Sequence, residues 1–453
     1  MRYAALILAF LTLARCAGDG SGSSGDDPSG RAPADAMAGD AQPGEGSAPD
    51  AAVGDSVPGD AASGDAASGD AAGSGDSQQE PDAGPADSAD PEEVVAPPLP
   101  VTVTRGPYFQ WPRTTGFVVL AETAEELPLV VRVQWTGGQE DFQSVPVKPV
   151  NTLLGVPLEE FDGFLHEVEV TIPNTAAVVT VAFVNTVAPF ETKLYPPAAQ
   201  QELRMVMFGD TRSQDDKHQI VVDGAALEQP EVVVHTADMV SGGSILPLWY
   251  KFFQIEKNLL AGSFFFAEFG NHDILGESYW DTLFVTGNTF NNERNYWIDL
   301  GLVGLVVIDT YGTKWAGQKA QAWLEGALQQ LQSKKWLIFS THVPMYTFSK
   351  HGPWTEGRTL VQPLLEKYGV DLVFAGHNHC YEHFTVNGIP HIVAGGGGAP
   401  LYDTLPEQDV QFQYFVASDS FYHYVLVEAD KDAMHVTAIN AETNQVYETF
   451  DIE

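Results

Sequence analysis

From Arg204 onward, short apolar runs alternate with helical stretches, and this pattern constrains the chain more than any other. Met205–Phe208, Val232–His235, Phe264–Phe269, Leu302–Ile308, Trp336–Ser340, Leu372–Ala375 and His391–Ala394 read as strands buried on both faces. Lys217–Leu227, Leu248–Leu260, Gln318–Gln332 and Thr359–Tyr368 read as the helices between them. Such alternation is met by a layered α/β domain, here over residues 198–453. In open α/β sheets the chemistry gathers at the carboxyl ends of the strands.

Ahead of this domain the pattern changes. Residues 99–197 hold at least five β-rich runs separated by turn clusters: Val101–Thr104, Gly116–Leu120, Val130–Trp135, Glu167–Ile172 and Val178–Val184. Their density suggests a small β-sandwich. No cluster of His, Asp or Glu stands out there, so the module reads as one that packs against the site or shapes access to it. Residues 17–98 are Gly, Ala, Asp, Ser and Pro with a Gly-Asp-Ala-Ala-Ser repeat, too poor in apolar groups to offset ordering entropy; they are expected to be a disordered, self-repelling spacer. Residues 1–16 pair Arg2 with an apolar core too short to span a bilayer, which suits an export signal. Leu13-Ala14-Arg15-Cys16 resembles a bacterial lipoprotein processing site, with Arg15 where a small residue is expected. Export to the periplasm, the cell surface or the medium is anticipated, with a possible lipid anchor at Cys16.

Charge narrows the partners. The spacer carries 18 Asp and Glu against Arg31 alone, and from Val101 onward 43 acids face 19 Lys and Arg. That balance excludes nucleic-acid binding through a basic surface, and a phosphate site would need local cations. Cys16 and Cys380 are the only cysteines, so no disulfide framework is expected.

Five strand ends carry the same kinds of group: Gly209-Asp210-Thr211-Arg212, Thr236-Ala237-Asp238, Gly270-Asn271-His272-Asp273, Thr341-His342-Val343-Pro344 and Gly376-His377-Asn378-His379. Apart from His272 and Asp273, they offer Asp210, Asp238, Asn271, His342, His377 and His379. That is a ligand set for two cations, suited to iron with zinc or manganese, and without clustered Cys. A single such residue would be an ordinary capping group. Five in register are not.

The ordered set resembles the calcineurin-like metallophosphoesterase superfamily. The upstream Arg105-Gly106-Pro107-Tyr108 looks like the amino-terminal, fibronectin III-like domain of purple acid phosphatase-type members. The resemblance implies a first metal held by Asp210, Asp238 and His379. It implies a second held by Asp238, Asn271, His342 and His377, with Asp238 bridging. His272 would contact phosphate or protonate the leaving oxygen, tuned by Asp273. His351, in Lys350-His351-Gly352-Pro353, resembles the substrate-facing His segment of the purple enzymes. The implied activity is hydrolysis of phosphate monoesters, from a phosphorylated small molecule or peptide, by metal-activated hydroxide.

Two positions depart from the pattern. Arg212 stands where many members have a His ligand; it stays protonated and could clamp a phosphate oxygen instead. Ser241 stands where the purple enzymes have Tyr, so no purple colour is expected. Water or His218 could complete the first metal. Two other functions stay open: a phosphodiesterase using the same site, and a non-catalytic metal- or ligand-binding surface lipoprotein. An adhesive role would explain none of the strand ends. His235, His383 and His391 read as structural, Cys380 as packing, and Gly395–Gly398 as a tight turn over the site.

Overall fold

The alternation is realised as two facing sheets with helices outside both. The structure, a computed structural model, describes residues 97–151, 156–158, 160–290 and 294–453. The expected leader, Cys16 and all but the last two residues of the spacer lie outside them.

One sheet has nine strands, in the order Gln445–Ile452, Met434–Asn440, His423–Ala429, Leu203–Phe208, Val232–His235, Phe264–Ala267, Val103–Arg113, Gly116–Thr123, Phe164–Thr171. The other has seven: Tyr296–Leu300, Val303–Ile308, Trp336–Thr341, Leu372–Ala375, Ile389–Ala394, Tyr381–Val386, Phe415–Asp419. Alternate residues of each central strand serve different layers. Met205 and Met207 join the apolar layer between the sheets, while Val206 and Phe208 face the helices. This explains why the sequence shows unbroken apolar runs instead of alternation. Helices Asp215–Leu227 and Leu246–Leu260 cover the nine-stranded sheet, and Gln318–Leu331 and Gln362–Tyr368 cover the other. In Leu246–Leu260 the buried stripe is Trp249, Phe252, Phe253, Leu259 and Leu260, with Lys251, Gln254 and Lys257 exposed. Each fully buried large side chain contributes roughly 1.5–3 kcal/mol.

The amino-terminal strands form a β-sandwich. Inner-face residues Phe117, Val119, Val168 and Val170 share an apolar core with Val131, Val133, Val179 and Val181 of a four-stranded sheet. That sheet runs Gly138–Gln143, Val130–Trp135, Val179–Phe183, Phe190–Leu194. Phe109 aligns in parallel with Phe264, so hydrogen bonding carries the large sheet across residue 198.

Two differences from the expected elements have clear causes. The helix expected over Thr359–Tyr368 is two short helices, Thr355–Leu360 and Gln362–Tyr368, which meet at Val361. Pro363 cannot donate an amide, so it opens a new helix instead of continuing one. The Gly138–Gln143 strand escapes sequence reading because it is an exposed polar edge. Among the described residues no helix is long and apolar enough to cross a membrane.

Candidate metal centre

Three of the five polar segments follow adjacent parallel strands of the nine-stranded sheet, after Phe208, His235 and Ala267. The other two follow adjacent parallel strands of the seven-stranded sheet, after Thr341 and Ala375. The two sheets thus present their carboxyl ends together, and the loops turn sharply to do so. Asp210 (φ 57°), Asp238 (φ 52°) and His377 (φ 68°) all take the left-handed backbone that non-glycine residues avoid, at about 1–3 kcal/mol each. Glycine clears the space beside them. A Cβ on Gly270 would lie 2.3 Å from Asp238 Oδ1, and one on Gly376 would lie 2.6 Å from Asp210 Oδ2.

Asp210, Asp238 and His342 are fully buried, with their ligand atoms within 4.8 Å of one another. His342 Nδ1 donates to the Thr236 carbonyl at 2.8 Å, which turns Nε2 toward Asp238 Oδ1 at 3.4 Å and Asn271 Oδ1 at 3.3 Å. His379 repeats the arrangement: Nδ1 donates to the Pro400 carbonyl at 2.7 Å, and Nε2 faces Asp210 Oδ1 at 3.5 Å. Bare imidazole nitrogens and carboxylate oxygens repel unless positive charge lies among them. Backbone carbonyls on the far nitrogen are how metal-ligating histidines are usually held. Asp210 Oδ1 is buried without a hydrogen-bond partner. These features fit a cation, and the oxygen and imidazole donors suit iron, zinc or manganese. His377 completes the group: its amide donates to Asp210 Oδ2 at 2.8 Å and its ring lies 5.1 Å from that of His342.

The electrostatics agree. Burial pushes Asp210 up to about 8, whereas at Asp238 the His342, His272 and Arg212 side chains outweigh burial and hold it below the usual carboxylate range. Burial also depresses His377 well below its ordinary value and His379 to about 4, leaving both neutral as ligation requires.

The remaining expected residues divide. The half-buried His272 donates its amide to Asp238 Oδ1 at 2.9 Å, and its Nδ1 lies 3.3 Å from the Ser241 carbonyl. Asp273 does not orient that imidazole. Its carboxylate accepts the amides of Asp238 and Gly270, both at 3.0 Å, so it clamps two ligand loops together. Arg212 reaches inward, with Nε 3.3 Å from Asp238 Oδ2 and a terminal nitrogen 3.4 Å from His379 Nε2. His351 lies beside this group: its ring is 4.6 Å from His377, and Asn378 brackets its backbone with two bonds of 2.9 Å. His218 is corrected as a candidate fourth ligand. Its helix turns Nε2 to Glu256 at 2.8 Å, beside the Phe252 ring. Burial raises the Cys380 thiol, in keeping with packing.

Sequence reading missed Tyr311 and Tyr402. The Tyr402 ring stacks on His379 at 4.0 Å, while the Tyr311 hydroxyl lies 3.3 Å from Asn271 Oδ1. Tyr311 follows the carboxyl end of Val303–Ile308, so the strand-end rule could have found it; Tyr402 lies in a long loop without such a signal.

Residues 203–381 match the calcineurin-like phosphoesterase family, and the chain carries that domain. Its relatives include purple acid phosphatases. "Probable inactive purple acid phosphatase 24" of Arabidopsis thaliana is 25% identical over 316 residues, covering 56% of this chain and 50% of that protein. A "nucleotide pyrophosphatase/phosphodiesterase" of Hordeum vulgare is 27% identical over 225 residues, covering 39% of this chain and 59% of that one. The chain therefore spans little more than half the length of these curated relatives. The structure of purple acid phosphatase PPD1 from yellow lupin superposes with a TM-score of 0.65 at 18% identity, covering 77% of this chain and 74% of that chain, a likeness of fold.

Proposed function

We propose that the protein hydrolyses phosphate monoesters at a site for two metal ions, iron paired with zinc or manganese. Asp210, Asp238 and His379 would hold one ion; Asp238, Asn271, His342 and His377 would hold the other. When bound, the ions would supply hydroxide near neutral pH and a positive field for the phosphoryl oxygens. The chain's own residues do the rest. Arg212 directs a fixed positive charge at the position of a phosphoryl oxygen. His272 and His351, on loops beside the ligands, would hold the proton for the departing oxygen. In this reading residues 99–197 pack and shape access, residues 198–453 carry the chemistry, and the leader exports the protein, with Cys16 as a lipid anchor. The substrate would be a phosphorylated small molecule or peptide.

The observation that carries the reading is the meeting of carboxylate oxygens and bare imidazole nitrogens around Asp210 and Asp238. Elemental analysis of the full chain, with chromogenic mono- and diesters assayed side by side, tests it. About two ions per chain and monoester turnover are expected; fewer than two with no turnover after reconstitution would sink it.

Two expectations follow from the site. Because burial lifts Asp210 to about 8, the metal-free centre carries a proton at pH 7 that a cation must displace. Loading should release close to one proton per chain, and affinity should fall up to about tenfold per pH unit on acidification below that value. Calorimetry in buffers of different ionisation enthalpy reads this, and a buffer-independent heat would contradict it. Arg212→Gln should lower kcat/KM by about a hundredfold at unchanged metal content, since it removes one charged donor from the transition state. A variant as active as the parent would show that Arg212 only packs.

One observation favours a second reading. The Arg212 guanidinium already touches Asp238 and His379, both proposed ligands of the first ion. A chain in which it stands in for that cation would bind ligands without turnover, and the same metal count would expose it.

A further inference from the structure

Tyr311 stands on a loop built around a buried acid. Asp309 Oδ1 accepts the amides of Tyr311 at 2.7 Å and Gly312 at 2.8 Å. The Asp309 amide donates to Asn295 Oδ1 at 2.8 Å, and the Trp315 indole N–H donates to the Asp309 carbonyl at 2.9 Å. The approach is close enough that a Cβ on Gly312 would fall 2.4 Å from Asp309 Oδ2. Four hydrogen bonds therefore fix the backbone from which the phenol projects.

The phenol neighbours all three groups assigned to the second metal alone. Its hydroxyl donates to Asn271 Oδ1 at 3.3 Å, and its ring centroid lies 6.1 Å from that of His342 and 6.3 Å from that of His377. Yet the residue is 37% exposed, so it also meets whatever enters from solvent. A distance of 3.3 Å is long for an O–H···O bond, whose usual length is about 2.7–2.8 Å. On a chain this acidic, an incoming oxyanion depends on local donors. Arg212 supplies one beside Asp238 and His379. On the Asn271–His342–His377 side, the Tyr311 hydroxyl is suited to be its counterpart.

We propose that Tyr311 contacts substrate, donating its hydroxyl proton in a hydrogen bond to a non-bridging oxygen of the bound phosphate ester, opposite Arg212. The assignment rests on the phosphoesterase reading above and deepens it. Tyr311→Phe removes one oxygen atom and leaves the ring to pack on the histidines.

The test loads the full chain with iron and zinc, counts bound metal, and measures inorganic phosphate binding by calorimetry for the parent and Tyr311→Phe. The variant is expected to keep the parent's metal content and to bind phosphate about tenfold or more weakly, as for loss of one hydrogen bond to a charged oxygen. With monoester substrate the loss should appear in kcat/KM by at least the same factor. Equal phosphate affinity in the two proteins would overturn the assignment. So would loss of a metal ion from the variant, which would make Tyr311 a support for Asn271. A parent that takes up two ions but no phosphate overturns the assignment alone. A parent that takes up fewer than two ions removes the reading beneath it as well.

Discussion

Asp238→Asn should lose at least one of two bound ions and lower kcat/KM about a thousandfold or more. Asp238 is where both halves of the centre meet. Its Oδ1 lies 3.4 Å from His342 Nε2 and accepts the His272 amide at 2.9 Å, and its Oδ2 faces Arg212 at 3.3 Å. Residues that merely support a ligand cost 10–100-fold when removed, so a carboxylate that the proposed site shares between two ions should cost more. Asparagine keeps an oxygen for the His272 amide, so the loops should stay folded while the charge is lost. Metal content and turnover measured on the same sample, with circular dichroism to confirm folding, decide the matter. Undiminished metal content and activity would remove Asp238 from the centre.

Arg105→Ala should destabilise the folded chain by about 3–5 kcal/mol, the range for stranding one member of a buried ion pair. The Arg105 and Glu122 side chains are 2% and 3% exposed, and two guanidinium nitrogens lie 3.1 Å from Glu122 Oε2. Glu122 Oε1 accepts the Tyr250 hydroxyl at 3.0 Å, and Arg105 also donates to Tyr108 at 2.9 Å. Tyr108 in turn donates to the Leu283 carbonyl at 2.7 Å, so the network ties the sandwich strands to two helices of the α/β domain. Removing the cation leaves a buried carboxylate with only a phenol to answer it. Arg105→Met with Glu122→Gln, which removes both charges, should recover most of the loss. Denaturant midpoints for the two variants test this; a single variant within 1 kcal/mol of the parent would refute it.

Much of this architecture could be read from the sequence because buried central strands announce themselves. Phe264–Ala267 and Leu372–Ala375 are apolar on both faces and end abruptly in polar loops, so strand and site were legible from one pattern. What escaped was direction. His218 lies eight residues after Asp210, but helical geometry turns its ring to Glu256, and no spacing rule reveals that. Asp273 adjoins His272 in sequence yet spends its carboxylate on backbone amides of two loops. Tyr311 lacked the ligand chemistry that made the other strand ends conspicuous, although its loop is fixed as firmly as theirs. The carboxyl-terminal strands from His423 to Ile452 were invisible for another reason. They are antiparallel additions to the sheet edge, half-exposed at Gln445–Ile452, and bear no polar cluster to draw attention.

The left-handed corners at Asp210, Asp238 and His377 restrict the substitutions the site can accept. Asn, Asp and His enter that conformation more readily than other side chains, whereas β-branched residues are genuine outliers there. Two alphabets therefore overlap at these corners, one set by metal ligation and one by backbone geometry, and few residues belong to both. Exchange of Asp for Asn would leave these loops undisturbed, but Val or Thr would deform them. Loss of the ions and loss of the fold are thereby separable in sequence space: a relative can fall silent as an enzyme while its outline is preserved.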